Sequence, residues 1–188
     1  MTSKRIVVVG TSLGGLHALG ILLAGIPRDF AWPIAIAQHR TRDADSGLAD
    51  LLQRESALPV AEAEDKTPIE PGHVYLAPPD YHLLIGGDAL SLSTEGPVSH
   101  ARPSIDVLFD SAASSFGAGV IAVVLTGASE DGAEGAAVVK RRGGRVIVQD
   151  PKEAESPIMP MAVVRRQLAD TVLSLRAIAL ELRQATRG

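Results

Sequence analysis

The chain of 188 residues contains no cysteine, which excludes a disulfide framework, a thiolate zinc site and a cysteine nucleophile. That absence fits a reducing, cytoplasmic setting. Aromatic residues make up only 3% of the chain against 46% hydrophobic residues in all, so the core must be built from Val, Ile, Leu and Ala. No basic run and no basic-plus-aromatic stripe occurs, and the net charge of -4 is mild, so nucleic acid is not an expected partner. Long hydrophobic runs are missing too. The longest, residues 18–26, is broken by Gly20 and Gly25 and is too short to span a bilayer, so no membrane insertion is expected. Lys4 and Arg5 precede an apolar stretch, but it stops at Gly10, short of a signal-peptide core. No histidine pair has metal-ligand spacing with carboxylates nearby, and neither a metal nor another cofactor is expected. No repeat, low-complexity tract or linker divides the chain, and its length suits one α/β domain over residues 1–188.

What is present is an alternation of apolar runs and helical periodicities. Residues 6–9 (Ile-Val-Val-Val) read as a buried parallel strand. Leu16, Leu19, Leu22 and Leu23 recur at helical spacing, with Pro27 as the stop. Residues 34–37 form a second buried strand, followed by Gln38 and His39. Leu48, Leu51 and Leu52 mark a helix, with Asp45 or Ser46 as its cap. The short runs 74–77, 83–85 and 90–92 are separated by turn signals. They predict antiparallel strands, the last two a hairpin, extending an otherwise parallel sheet. Pro103 to Asp106 opens a helix that exits at Gly117. A strongly apolar strand follows at 120–125, then a turn at 126–132, a helix to about Arg142, a strand at 146–148, and helices at 161–168 and 177–182. The alternation predicts a doubly wound, mainly parallel sheet with helices on both faces and an antiparallel hairpin.

In such sheets, ligands bind beyond the C-terminal ends of the strands. Ser12, His39 and Asp131 each stand just after an apolar strand. Residues 7–15 (Val-Val-Val-Gly-Thr-Ser-Leu-Gly-Gly) carry the chain through a tight turn that presents Ser12 at the mouth of a helix. Unpaired N–H groups there favour developing negative charge. A serine hydroxyl needs a base such as histidine, and a buried carboxylate can orient that histidine and stabilise its cation. Taken singly, each residue has an ordinary alternative: Ser12 as a helix cap, His39 as a loop residue, Asp131 as an N-cap. Their coincidence at one sheet edge favours the catalytic reading. His17 falls within the first helix, His73 and His82 flank the hairpin in surface or turn roles, and His100 lies in a loop near the substrate approach. The glycine-rich turn matches neither G-x-G-x-x-G nor G-K-[ST], although phosphate binding at this helix start stays open. The acidic group Glu62, Glu64 and Asp65 reads as solvated surface.

Six motifs then occur in order: G-T-S-L-G-G at 10–15, Q-H at 38–39, E-P-G-H-V-Y-L-A-P-P-D at 70–80, R-P-S-I-D-V-L-F at 102–109, L-T-G at 125–127 and E-D-G at 130–132. Through them the chain resembles the catalytic domain of the chemotaxis protein-glutamate methylesterase (CheB) family, from Ile6 to about Leu175. The resemblance implies a catalytic triad of Ser12, His39 and Asp131, with backbone donors at Leu13 and Ala128 for the oxyanion. It implies hydrolysis of glutamate γ-methyl esters on methylated chemoreceptor or chemoreceptor-like helices, with glutamine deamidation in many members. Thr11, Arg40, Arg102 and Met159 are the substrate-proximal candidates. The chain departs from the family pattern at Ala128-Ser129, where Met-Gly is usual, at Leu13, at Arg40 and at Ile158. Well-known members carry a receiver domain ahead of the catalytic one, whereas only Met1 to Lys4 precede the first strand here. Activity is therefore expected to be ungated or controlled by a regulator in trans. Two other readings stay open: a non-catalytic signalling module of the same fold, and a serine hydrolase acting on an unrelated ester or amide.

Overall fold

The computed structural model describes residues 4–41 and 47–186. In chain order the elements are β1 (Ile6–Thr11), α1 (Gly15–Ala24), β2 (Ile34–Gln38), α2 (Leu48–Glu55), β3 (Val60–Glu62), β4 (Val74–Leu76), β5 (His82–Gly86), β6 (Ala89–Ser93) and α3 (Ile105–Phe116). After a 3-10 turn at Gly117–Gly119 come β7 (Val120–Val124), α4 (Ala133–Arg141), β8 (Arg145–Gln149), α5 (Ile158–Arg165), β9 (Thr171–Leu173) and α6 (Leu175–Ala185). Seven strands form one sheet in the order β3-β4-β2-β1-β7-β8-β9. Every pairing in it is parallel.

The unbroken apolar runs of β1, β2, β7 and β8 follow from burial on both faces. Alternate residues serve opposite cores. Val7, Val9, Ile34, Ile36, Ile121 and Val123 pack with residues of α1, α2 and α6. Ile6, Val8, Ala35, Ala122, Val124 and Val146 pack with residues of α3, α4 and α5. The fold is thus the expected doubly wound α/β sheet.

Several details differ from expectation. β4 pairs in parallel with β2 and belongs to the main sheet. The hairpin of β5 and β6 is a separate two-stranded sheet and does not extend the larger one. Its buried Leu83, Ile85 and Leu90 join the core that includes α3, so the hairpin packs on that helix by a face. The edge strands β3 and β9 have only three residues each, too few for a periodic signal. Helix α1 stops at Gly25, two residues before Pro27, where the Gly25 N–H bonds to the carbonyls of Leu22 and Leu23. Helix α5 begins at Ile158, earlier than expected, because Pro160 falls in its first turn, where a missing N–H costs nothing. Asp45 and Ser46, expected to cap α2, lie outside the described residues.

One close approach ties fold to site. A Cβ on Gly10 would fall 2.2 Å from Cγ2 of Ile105, the first residue of α3. Glycine in β1 therefore lets the N-terminus of α3 settle directly onto the sheet. Gly10→Ala is expected to push α3 outward and lower stability by about 1–3 kcal/mol, read as a fall in the urea midpoint. Unchanged stability would show that Ile105 repacks freely.

Candidate active site

β1 and β2 run in register, with Thr11 opposite Gln38, so Ser12 and His39 leave the sheet side by side at its C-terminal edge. The His39 N–H donates to Thr11 O at 3.0 Å. From β1 the sheet grows outward through β2 and β4 to β3, and the chain then returns to place β7 on the other side of β1. The crevice at this reversal is where such folds bind ligands. Ser12 lies in it, with its N–H bonded to Thr126 O after β7 at 3.0 Å. Gln38 ties the two segments together, its amide donating to Ser12 O at 2.9 Å and His39 O at 3.0 Å.

His39 Nε2 lies 2.7 Å from Asp131 Oδ2. The imidazole is 17% exposed and the carboxylate fully enclosed. Asp131 also accepts the Ser104 hydroxyl at 3.0 Å and the backbone N–H groups of Ile105 and Asp106 at 2.7 and 3.0 Å. It therefore caps the helix α3, which arrives from elsewhere in the chain, and not its own α4. Burial alone would push this carboxyl up, but the hydrogen bonds from His39, Ile105 and Asp106 outweigh it and hold it below the usual carboxylate range. An ionised Asp131 makes Nε2 the protonated nitrogen of His39 and leaves Nδ1 to accept a proton. Among the described residues, neither Ser12 Oγ nor His39 Nδ1 has a hydrogen-bond partner. Pairs of this kind often close only around a bound substrate.

The backbone N–H groups near Ser12 divide into two kinds. The N–H groups of Ser12 and Gly127 are committed to Thr126 O and Ser156 O. Those of Leu13 and Ala128 donate to no protein group among the described residues. The loop that carries Ala128 is braced from below: Thr126 N–H donates to Gln149 at 2.8 Å, the Thr126 hydroxyl to Leu13 O at 2.9 Å, and the Ser156 hydroxyl to Gly127 O at 3.0 Å. In the altered Ala128-Ser129 segment, the Ser129 hydroxyl accepts the Asp131 N–H at 3.3 Å. Ser12 and His39 line one open cleft of about 1050 Å³ with Leu13, Leu16, Leu48 and Leu51.

The remaining candidates fall into different places. Met159 is buried against Gly127, where an added Cβ would lie 2.5 Å from Met159 Cε and 3.0 Å from Ser12 Cβ. Arg40 lines the cleft but has its guanidinium on Glu62 at 2.7 Å. Arg102 borders a second depression beside His39, with its guanidinium bound to Asp80 and to the carbonyls of Thr94 and Glu95. Thr11, expected near substrate, is fully buried, its hydroxyl donating to Thr126 O at 2.7 Å, and it braces β1. His82, expected in a surface or turn role, is a buried residue of β5, its Nδ1 accepting from Ser104 N–H at 3.2 Å and its Nε2 on Gly96 O at 3.0 Å. Glu62 and Asp65 are not simply solvated either, since Asp65 accepts the Leu92 N–H at 3.0 Å. Ser104, His82, Thr126 and Ser156 were missed as site residues. The signal for Ser104 lies in the R-P-S-I-D motif at 102–106, where the serine itself is otherwise a helix start.

The sheet and the residues at its C-terminal edge define an α/β domain with a serine, a histidine and an aspartate converging on one crevice. The sequence model of the family described as CheB methylesterase matches residues 7–182, and the chain belongs to that family. A relative from Leptospira interrogans, provisionally named protein-glutamate methylesterase/protein-glutamine glutaminase, is 42% identical over 174 residues, 92% of this chain and 90% of the relative. A protein-glutamate methylesterase/protein-glutamine glutaminase of Anaeromyxobacter dehalogenans is 43% identical over 97% of this chain, which spans only 54% of that longer relative. The crystal structure of the Thermotoga maritima CheB methylesterase catalytic domain superposes with a TM-score of 0.93 at 36% identity, covering 98% of this chain and 100% of that one.

Proposed function

We propose that this chain is a serine esterase that hydrolyses glutamate γ-methyl esters on chemoreceptor or chemoreceptor-like helices, with Ser12, His39 and Asp131 as its triad. The observation that carries the reading is the 2.7 Å contact between His39 Nε2 and an enclosed Asp131, beside the strand end that bears Ser12. Ser12 Oγ attacks the ester carbonyl carbon while His39 Nδ1 takes its proton. The N–H groups of Leu13 and Ala128 hold the resulting oxyanion. Collapse of that intermediate breaks the bond to the methoxy oxygen, which receives the proton from His39 and leaves as methanol. Water, deprotonated by His39, then attacks the acyl-serine, and as the glutamate carboxylate leaves, His39 returns the proton to Ser12 Oγ. With a glutamine side chain the same steps release ammonia.

The open cleft and its exposed rim suit a protein substrate better than an enclosed small molecule. Leu13 and Leu16 are 54% and 47% exposed there, an apolar edge on which a helix can lie. In this reading the reaction takes place in the cytoplasm. Among the described residues no helix is long and apolar enough to cross a membrane, so the receptor would bring the bilayer and this chain the chemistry. Membranes bearing a methylated chemoreceptor should release methanol when the protein is added. No release from any methylated receptor would favour a signalling module of the same fold.

A further inference from the structure

Asp106 has no task in the cycle above, yet it touches the triad's support on two sides. It lies in the first turn of α3. Its Oδ1 accepts the N–H groups of Gly132 at 2.8 Å and Gly135 at 2.7 Å, at the start of α4. Its own N–H donates to Asp131 Oδ1 at 3.0 Å. The two helices therefore cap each other. Asp131, just ahead of α4, receives the first N–H groups of α3, and Asp106, from α3, receives those of α4. The turn that carries Asp131 is pinned from both directions, with Gly132 at φ 101 supplying a conformation that a residue with a side chain would resist.

The two carboxyl groups are neighbours, since Asp131 accepts the backbone N–H of Asp106 and Asp106 accepts that of Gly132. Burial above all, and then the charge on Asp131, push the Asp106 carboxyl up to about 6, against the pull of the Gly135 and Gly132 N–H groups. Among the described residues, His39 stands on Asp131, His82 on the far side of Ser104, and Arg166, paired with Glu134 at 2.7 Å, feels the charges of Asp106 and Glu130. Ser99 approaches Asp106 Oδ2 at 3.4 Å.

We propose that Asp106 is a positioning residue: it fixes the turn that presents Asp131 to His39, and its charge sets how strongly Asp131 holds His39 as a cation. This rests on the reading of His39 as the base. When Asp106 is neutral, a single carboxylate stands behind His39. When it is ionised, two carboxylates stand behind His39. Asparagine keeps an acceptor for Gly132 and Gly135 and carries no charge, so it reproduces the neutral state permanently. Alanine removes both the cap and the charge.

The test compares the unaltered protein, Asp106→Asn and Asp106→Ala by nitrogen-15 NMR titration of the His39 ring and by methanol release from methylated receptor membranes. Loss of the signal in His39→Ala identifies the His39 resonances. In Asp106→Asn the His39 midpoint should fall by about 0.5 pH units or more, because a negative charge near the cation is gone. Asp106→Ala should lower kcat by about 10- to 100-fold with little change in KM, and Asp106→Asn should recover most of that loss at pH 8. A role in packing alone would leave the His39 midpoint in place. An unmoved midpoint in Asp106→Asn, or full kcat in Asp106→Ala, overturns the proposal. If the unaltered protein releases no methanol, the functional reading fails, and the NMR comparison still decides whether Asp106 acts on His39.

Discussion

Ser12→Ala should lower methanol release by about ten-thousand-fold or more while leaving the fold intact. The size follows from the role. Without the hydroxyl no acyl-enzyme forms, and members of a triad act as a unit, so losing one removes nearly all of their joint contribution. The residual rate would come from the backbone donors and from binding alone. The structural cost should be small. Among the described residues, Ser12 Oγ makes no hydrogen bond, whereas the backbone of Ser12 is held by Thr126 and Gln38. A melting temperature close to that of the unaltered protein is therefore expected, since substitutions that break no partnership usually stay within about 0.5 kcal/mol. Loss of activity with loss of fold would instead point to a structural part for this turn.

Asp131→Asn should be nearly as damaging to catalysis and, unlike Ser12→Ala, should also weaken the fold. All four groups that meet the carboxylate approach it as donors: His39 Nε2, the Ser104 hydroxyl and the N–H groups of Ile105 and Asp106. An asparagine offers one oxygen and one N–H₂. The amide nitrogen must then face a donor, leaving at least one buried N–H unsatisfied at about 1–3 kcal/mol. His39 would also lose the carboxylate that fixes its tautomer, which in a comparable arrangement costs about ten-thousand-fold in kcat. The pH dependence of stability gives a second reading. Asp131 is held below its ordinary value in the folded protein, so its contribution is complete above about pH 4 and is lost as the pH falls through the lower folded value. The asparagine variant should lack that acid limb, which urea unfolding at a series of pH values would show. A variant with full stability and full kcat would remove Asp131 from the account.

Much of this arrangement could be read from local patterns. The apolar runs of β1, β2 and β7 mark strands buried on both faces, and polar residues that directly follow such runs must emerge at one sheet edge. That brings Ser12 and His39 out beside each other, while Asp131 comes from the turn seven residues beyond β7. What periodicity did not carry were the contacts made across the sequence. Ser104 and His82 read as a helix start and a hairpin flank, because nothing local says that α3 sits on Gly10 and delivers its N-terminus to Asp131. Thr11 read as a substrate neighbour because it adjoins Ser12. In a strand, successive side chains point to opposite faces, and its hydroxyl turns inward to Thr126. The strands β3 and β9 were invisible because three half-exposed residues at a sheet edge carry no alternation. The reciprocal capping by Asp106 and Asp131 joins two motifs more than twenty residues apart, and only the packed structure brings them together.

In the proposed mechanism the His39–Asp131 pair makes the Ser12 hydroxyl reactive. The most direct measurement is the rate of covalent labelling by a serine-directed phosphonate, followed by peptide mass spectrometry across a pH series, in the unaltered protein and in His39→Ala. One modified serine, Ser12, is expected, labelled faster as the base loses its proton, with almost no labelling once the imidazole is removed. Modification of a different serine, or equal labelling of Ser12 with and without His39, would contradict that mechanism.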